Sequence, residues 1–174
     1  MANNILLTGA SGGIGYEVFQ QLLKAKGIKI SIYIRKSKAN IKRFKQYRDL
    51  ANIIYGDLKS KEDLIQIKEP YDAVIHLAAI IPPIAYRSES NTYNVNVRAT
   101  QNLLDHFESY CPKAFFMFSS SVAIYGDRLE TPEIRVTDSL HHEDKDFYVQ
   151  TKIKAEKAVQ KSKLQWSIFR LTAY

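Results

Sequence analysis

Several familiar features are missing from this chain, and each absence removes a class of protein. There is one cysteine, Cys111, so no internal disulfide can staple the fold, which suits a reducing compartment. No apolar run approaches the roughly 20 residues needed to span a bilayer; the stretch Leu77 to Ile81 ends at two prolines. The first residues lack the basic start and long apolar core of a signal peptide, so the expected location is cytoplasmic and no membrane partner is expected. Acidic residues are absent from Lys24 to Arg48, where ten Lys or Arg stand. The net charge of +7 is therefore local, because the remaining residues carry 15 basic against 18 acidic side chains, about −3. Such a segment suits one small anionic ligand or a solvated helix face, and a long nucleic-acid partner is not expected.

Glycine is scarce too, with seven in 174 residues, yet four of them lie between positions 9 and 15. What surrounds them is ordinary globular sequence of one-domain size, 45% hydrophobic and 25% charged. Short β-rich runs at 4–8, 29–34, 51–55, 72–77, 113–119 and 166–171 alternate with helical patterns. One pattern, 13–26, sets Ile14, Val18 and Leu22 on one face; another, 90–110, does the same with Tyr93, Val97, Leu104 and Phe107. This alternation predicts an α/β fold: a doubly wound, Rossmann-like parallel sheet of order 3-2-1-4-5-6 with helices on both faces.

In that fold Thr8-Gly9-Ala10-Ser11-Gly12-Gly13-Ile14-Gly15 falls where strand one ends and helix one begins. Helix amides and the positive dipole end meet a phosphate there. Gly9 lets the chain turn, Gly12 and Gly13 keep Cβ atoms away from a pyrophosphate, and Gly15 lets the helix pack close to the sheet.

The spacing resembles the Thr-Gly-x-x-Gly-x-x-Gly fingerprint of the short-chain dehydrogenase/reductase superfamily. Further stretches resemble its extended branch, the epimerase, dehydratase and dihydroflavonol-reductase-like group: Gly56-Asp57-Leu58, His76-Leu77-Ala78-Ala79, Asn96 to Leu104, Ser119 to Gly126, and Tyr148-Val149-Gln150-Thr151-Lys152. The resemblance implies cofactor contacts at Thr8, Gly9, Ser11, Gly12, Gly13, Ile14, Gly15, Asp57, Leu58, Leu77, Ala78 and Ala79, with Tyr148 and Lys152 touching both cofactor and substrate. It implies a catalytic set of Ser121, Tyr148 and Lys152 supported by Asn96. It also implies that residues 1–174 form the NAD(P)-binding unit, with the substrate-binding region lying outside this chain.

Four residues apart on a helix, Tyr148 and Lys152 stack on one face, and an ammonium there is expected to lower a phenol pKa that is ordinarily about 10. Tyr148 then exchanges a proton with a substrate alcohol or carbonyl. Cofactor choice turns on the end of strand two, where an acidic residue would hold the 2′-hydroxyl of NAD. Arg35 and Lys36 stand there instead, so NADP is expected, with NAD the alternative. Sugar-nucleotide dehydratases of the group carry an acid pair where this chain has Val122 and Ala123, so dehydration is not expected. A hydride-transferring oxidoreductase acting on a small carbonyl, alcohol or sugar nucleotide is the reading; an epimerase and a nucleotide-binding sensor without turnover stay open. His76 reads as a packed residue, and His141-His142-Glu143 lacks metal-site spacing, so no metal is expected. A homo-oligomer, most simply a dimer, is expected, formed either through the exposed sheet edge or, as the resemblance implies, through helices 90–110 and 146–162 paired across a two-fold axis.

Overall fold

The computed structural model describes residues 3–141 and 146–172. Six strands, β1 (Asn3–Thr8), β2 (Ile28–Ile34), β3 (Asn52–Tyr55), β4 (Ala73–His76), β5 (Phe115–Ser121) and β6 (Gln165–Leu171), form one sheet of order β3-β2-β1-β4-β5-β6. Every pairing is parallel. The helices are α1 (Gly13–Lys24), α2 (Lys38–Phe44), α3 (Lys61–Leu64), α4 (Glu89–Tyr93), α5 (Ala99–Tyr110) and α6 (Phe147–Lys161). A parallel sheet buries both faces, and alternation along each strand divides the core accordingly. Leu7, Ile30, Ile32 and Ile34 face Phe19 of α1 and Phe44 of α2. Leu6, Val74, Phe116 and Phe118 face Leu103, Leu104 and Phe107 of α5 and Ala155 and Val159 of α6.

Two helical faces differ from the periodicity reading. On α1 the buried positions are Gly15 and Phe19, while Ile14 is exposed. A Cβ on Gly15 would lie 2.1 Å from the Gly9 carbonyl oxygen, so close packing of the glycine turn turns this residue inward in place of Ile14. Between α4 and α5 a π-helical turn, Asn94–Arg98, intervenes, and Thr92 and Asn96 point inward while Tyr93 and Val97 are only half-buried. Both inward residues are polar and both find partners: Thr92 donates to the Ala85 carbonyl, and Asn96 bonds as described below. Satisfied hydrogen bonds overrode the apolar pattern.

The chain reverses between β1 and β4, whose outgoing connections run to opposite sides and open a crevice above the strand ends. The loops that follow β1, β2, β3 and β4 all border it.

Candidate functional site

A cavity of about 280 Å³ fills that crevice. Gly9, Ser11 and Gly12 form one wall, Arg35 and the loop Gly56 to Lys59 another, and Leu77 to Ile80 with Val95 and Ala99 a third. Gly9 adopts φ +80°, and a Cβ there would stand 2.6 Å from the Ala78 nitrogen, so the turn and the β4 loop touch backbone to backbone. That contact leaves the amides at the start of α1 facing an open, Cβ-free cradle. Asp57 reaches the cavity with its carboxylate, which accepts from the Lys59 amide at 3.0 Å.

Not every residue expected on the cofactor lines the cavity. Thr8 is fully buried; its Oγ1 pairs with His76 Nδ1 at 2.7 Å and lies 3.4 Å from the Ala78 amide that donates to it. It braces the cradle from below. Gly13, Ile14 and Gly15 form the first turn of α1 without lining the cavity, the first two exposed and Gly15 buried, and Lys36 borders a neighbouring surface groove with residues 52–57. Tyr33, Gly56, Lys59, Ile80, Val95 and Ala99 line the cavity without having been expected. Another unexpected group is Arg43 of α2, whose Nη1 donates to the Ser11 carbonyl at 2.9 Å while its guanidinium stacks 3.9 Å above the Tyr16 ring.

Next to the cradle, the end of β5 and the first turns of α6 hold Ser121, Tyr148 and Lys152. Tyr148 and Lys152 are both buried. Lys152 Nζ donates to the Ser119 carbonyl at 2.8 Å and lies 4.9 Å from the centre of the Phe118 ring. Burial brings the ammonium down to about 8, and Glu156 one turn further along α6 pulls the other way. The Tyr148 phenol is held above its ordinary 10: burial raises it, a hydrogen bond with Ser121 lowers it, and the Asp146 carboxylate raises it again. The expected lowering of the phenol by its neighbouring ammonium is therefore corrected. Lys152 is anchored to the strand backbone, and desolvation decides the sign.

Asn96 makes no free approach to the site. Its Oδ1 accepts from the Ile80 amide at 2.7 Å, and its Nδ2 donates to the Ile80 carbonyl at 2.9 Å and to Thr151 Oγ1 at 3.1 Å. Thr151 in turn donates to the Tyr148 carbonyl at 2.7 Å. Asn96 thus ties the loop after β4 to the turn that presents Tyr148. His76 continues the network from Thr8 to Thr100 Oγ1 at 3.0 Å, and burial, with Lys152 nearby, depresses it to about 3, so it is a neutral strut. His141 packs against Gly126, while His142 and Glu143 lie outside the described residues. No helix among the described residues is long and apolar enough to cross a membrane.

Comparison with known proteins agrees with this fold. The profile of the NAD dependent epimerase/dehydratase family matches residues 5–173. UDP-glucose 4-epimerase 3 of Oryza sativa subsp. japonica is 32% identical over 143 residues, covering 74% of this chain and 37% of that protein. D-erythronate dehydrogenase of Haemophilus influenzae is 33% identical over 131 residues, covering 72% and 40%. Among solved structures, a thiolation-reductase di-domain from an archaeal non-ribosomal peptide synthetase superposes with a TM-score of 0.81 at 25% identity, covering 99% of this chain and 52% of that one. The chain spans about two fifths of the length of these two curated relatives.

Proposed function

The chain belongs to the NAD-dependent epimerase/dehydratase family, and from that premise we propose that it binds NADP(H) in the crevice and serves hydride transfer at a carbonyl or alcohol carbon of a small molecule. The observation that carries this reading is the combination of a glycine turn that lines the crevice at the start of α1 with Tyr148 and Lys152 buried in the first turns of α6, the phenol hydrogen-bonded to the half-buried Ser121. Gly9, Ser11 and Gly12 line the cavity at the start of α1, where helix amides fit the phosphates of a dinucleotide, and the backbone contacts at Gly9 and Gly15 hold that turn in shape. When bound, the nicotinamide supplies or accepts the hydride.

The chain's own residues handle the proton. Tyr148, protonated at neutral pH, gives its proton to the substrate oxygen as the carbonyl is reduced, and Ser121 holds that oxygen in place. Lys152 adds positive charge beneath the phenol, which favours the phenolate left after transfer. Gly9, Ser11, Gly12, Asp57, Leu58, Leu77, Ala78 and Ala79 contact the dinucleotide. Thr8 and Gly15 brace the glycine turn, Gly13 and Ile14 carry it into α1, and Asn96 acts as a positioning residue.

Arg35 at the cavity wall and Arg43 on the glycine turn support NADP over NAD, because no carboxylate stands at the end of β2 to repel a 2′-phosphate. The names of several relatives, epimerases of UDP-glucose among them, favour a second reading in which a sugar nucleotide is oxidised and re-reduced in place. The test is NADPH oxidation against a panel of carbonyls beside a UDP-sugar epimerisation assay, with Tyr148→Phe as control. Turnover that survives Tyr148→Phe refutes the assigned proton donor, and nucleotide binding without any turnover leaves only the sensor reading.

A further inference from the structure

The segment that precedes α6 carries a carboxylate that the scheme above does not use. Asp146 caps the helix, its Oδ1 accepting from the Tyr148 amide at 2.8 Å and from the Val149 amide at 3.4 Å. Its other oxygen, Oδ2, accepts from the Tyr86 hydroxyl at 2.8 Å. Tyr86 belongs to the turn Ile84–Arg87, part of the same post-β4 connection whose first residues wall the cavity. One side chain therefore joins the loop beside the crevice to the backbone of the residue that carries the phenol.

We propose that Asp146 is the positioning residue for Tyr148, and that it acts through its negative charge as well as through its cap, biasing the phenol toward giving a proton rather than taking one. The cap alone does not need a carboxylate, since Ser or Asn serves as well at this position. A formal charge two residues before a buried phenol opposes formation of a phenolate there, and its influence on the phenol has that sign. Among the described residues, the other charged or titratable groups near this phenol come from the same helix, the turn after β4, and strands β4 and β6. Lys152 comes from the same helix and is tied to the Ser119 carbonyl, and Tyr86 comes from the turn after β4. His76, on β4 beneath Lys152, is neutral, and Glu156 is paired with Arg170 of β6. Replacing Asp146 by a neutral cap removes the one charge among these that opposes the phenolate.

This inference rests on Tyr148 being the proton-transfer group, yet its test does not need turnover. Tyrosines are replaced by 3-fluorotyrosine and the phenol is titrated by fluorine NMR in the protein without nucleotide, its signal identified by its loss in Tyr148→Phe. Asp146→Asn and Asp146→Ser keep a capping oxygen and remove the charge. In both, the Tyr148 midpoint is expected to move down, with the helical circular-dichroism signal retained. A midpoint that stays or rises in the variant that folds overturns the proposal. A downward move in a protein that turns over no substrate supports Asp146 and refutes only the enzyme reading.

Discussion

Replacing Lys152 by methionine is expected to make the fold more stable while abolishing its chemistry. In the folded chain the ammonium is buried and its pKa falls from 10.5 to about 8, so the unfolded chain holds that proton more tightly. At about 1.4 kcal/mol for each pKa unit, keeping Lys152 charged at pH 7 costs the fold about 3 kcal/mol. The penalty is complete below about pH 8 and fades as pH rises toward 10.5, because both states then lose the proton. Methionine fills the same space without a charge. It leaves the Ser119 carbonyl without the donor at 2.8 Å, a loss of about 1 to 2 kcal/mol.

The net expectation at pH 7 is a gain of about 1 to 2 kcal/mol, which raises Tm by several degrees, since each kcal/mol moves a domain of this size by about 2 to 4 °C. Urea unfolding of both proteins at pH 7 and pH 9.5 measures it. Over that interval the wild type is expected to gain about 2 kcal/mol on the variant as its own penalty fades. A variant less stable than wild type at pH 7, or a difference that does not change with pH, would refute the desolvation account.

Three further outcomes follow from other contacts. Arg170 holds the buried Glu156 at 2.8 Å and 3.1 Å and also donates to the Val136 carbonyl, so Arg170→Met strands a buried carboxylate and is expected to cost about 3 to 5 kcal/mol in urea unfolding; a loss under 1 kcal/mol would show that water reaches Glu156. Calorimetry is expected to show NADP bound more tightly than NAD, by about 1 to 3 kcal/mol, with Arg35→Asp and Arg43→Ala each shrinking the margin; equal affinities in the unmodified protein would sink the NADP reading. Light scattering is expected to show a dimer through α5 and α6, and Lys154→Glu, which removes the cation 5.3 Å from the Tyr93 ring, should weaken it; a monomer at every concentration would exclude that pairing.

Local chemistry was legible in the sequence and distant contacts were not. The glycine turn could be read because its demands fall on neighbours: Gly9 needs a positive φ, and Gly15 must pass its own Gly9 carbonyl. The strand order followed from the β–α alternation, since right-handed crossovers leave few ways to lay it down. Ile14 was misplaced because a one-residue turn of α1 costs periodicity nothing, whereas the approach of Gly15 to Gly9 fixes it in space. Arg43 carried no signal at all; its partner, Ser11, lies 32 residues away and is a backbone carbonyl, which any residue type presents. Asp146 was not singled out, and its bond to Tyr86 spans 60 residues, a separation that no local pattern reveals. Burial itself set the phenol against the expectation, and burial of one side chain is a property of the whole fold.

The two shifts at the site have one cause and a joint consequence for direction. Desolvation disfavours ions of either sign, so it raises Tyr148 and lowers Lys152. At pH 7 the phenol keeps its proton and most Lys152 side chains keep theirs, a state charged for donation to a carbonyl and poorly set to accept a proton from an alcohol. Reduction is therefore expected to be level from pH 6 to 7 and to fall as pH rises through about 8, where Lys152 loses its charge. The reverse oxidation starts from the Tyr148 phenolate, which the Lys152 charge favours, so loss of that charge is not expected to speed it. Glu156 holds Lys152 up, so Glu156→Gln should begin the decline at lower pH. Rates of reduction measured from pH 6 to 9.5 decide the matter: a profile that stays flat through pH 9 would mean that Lys152 does not act on the phenol by its charge.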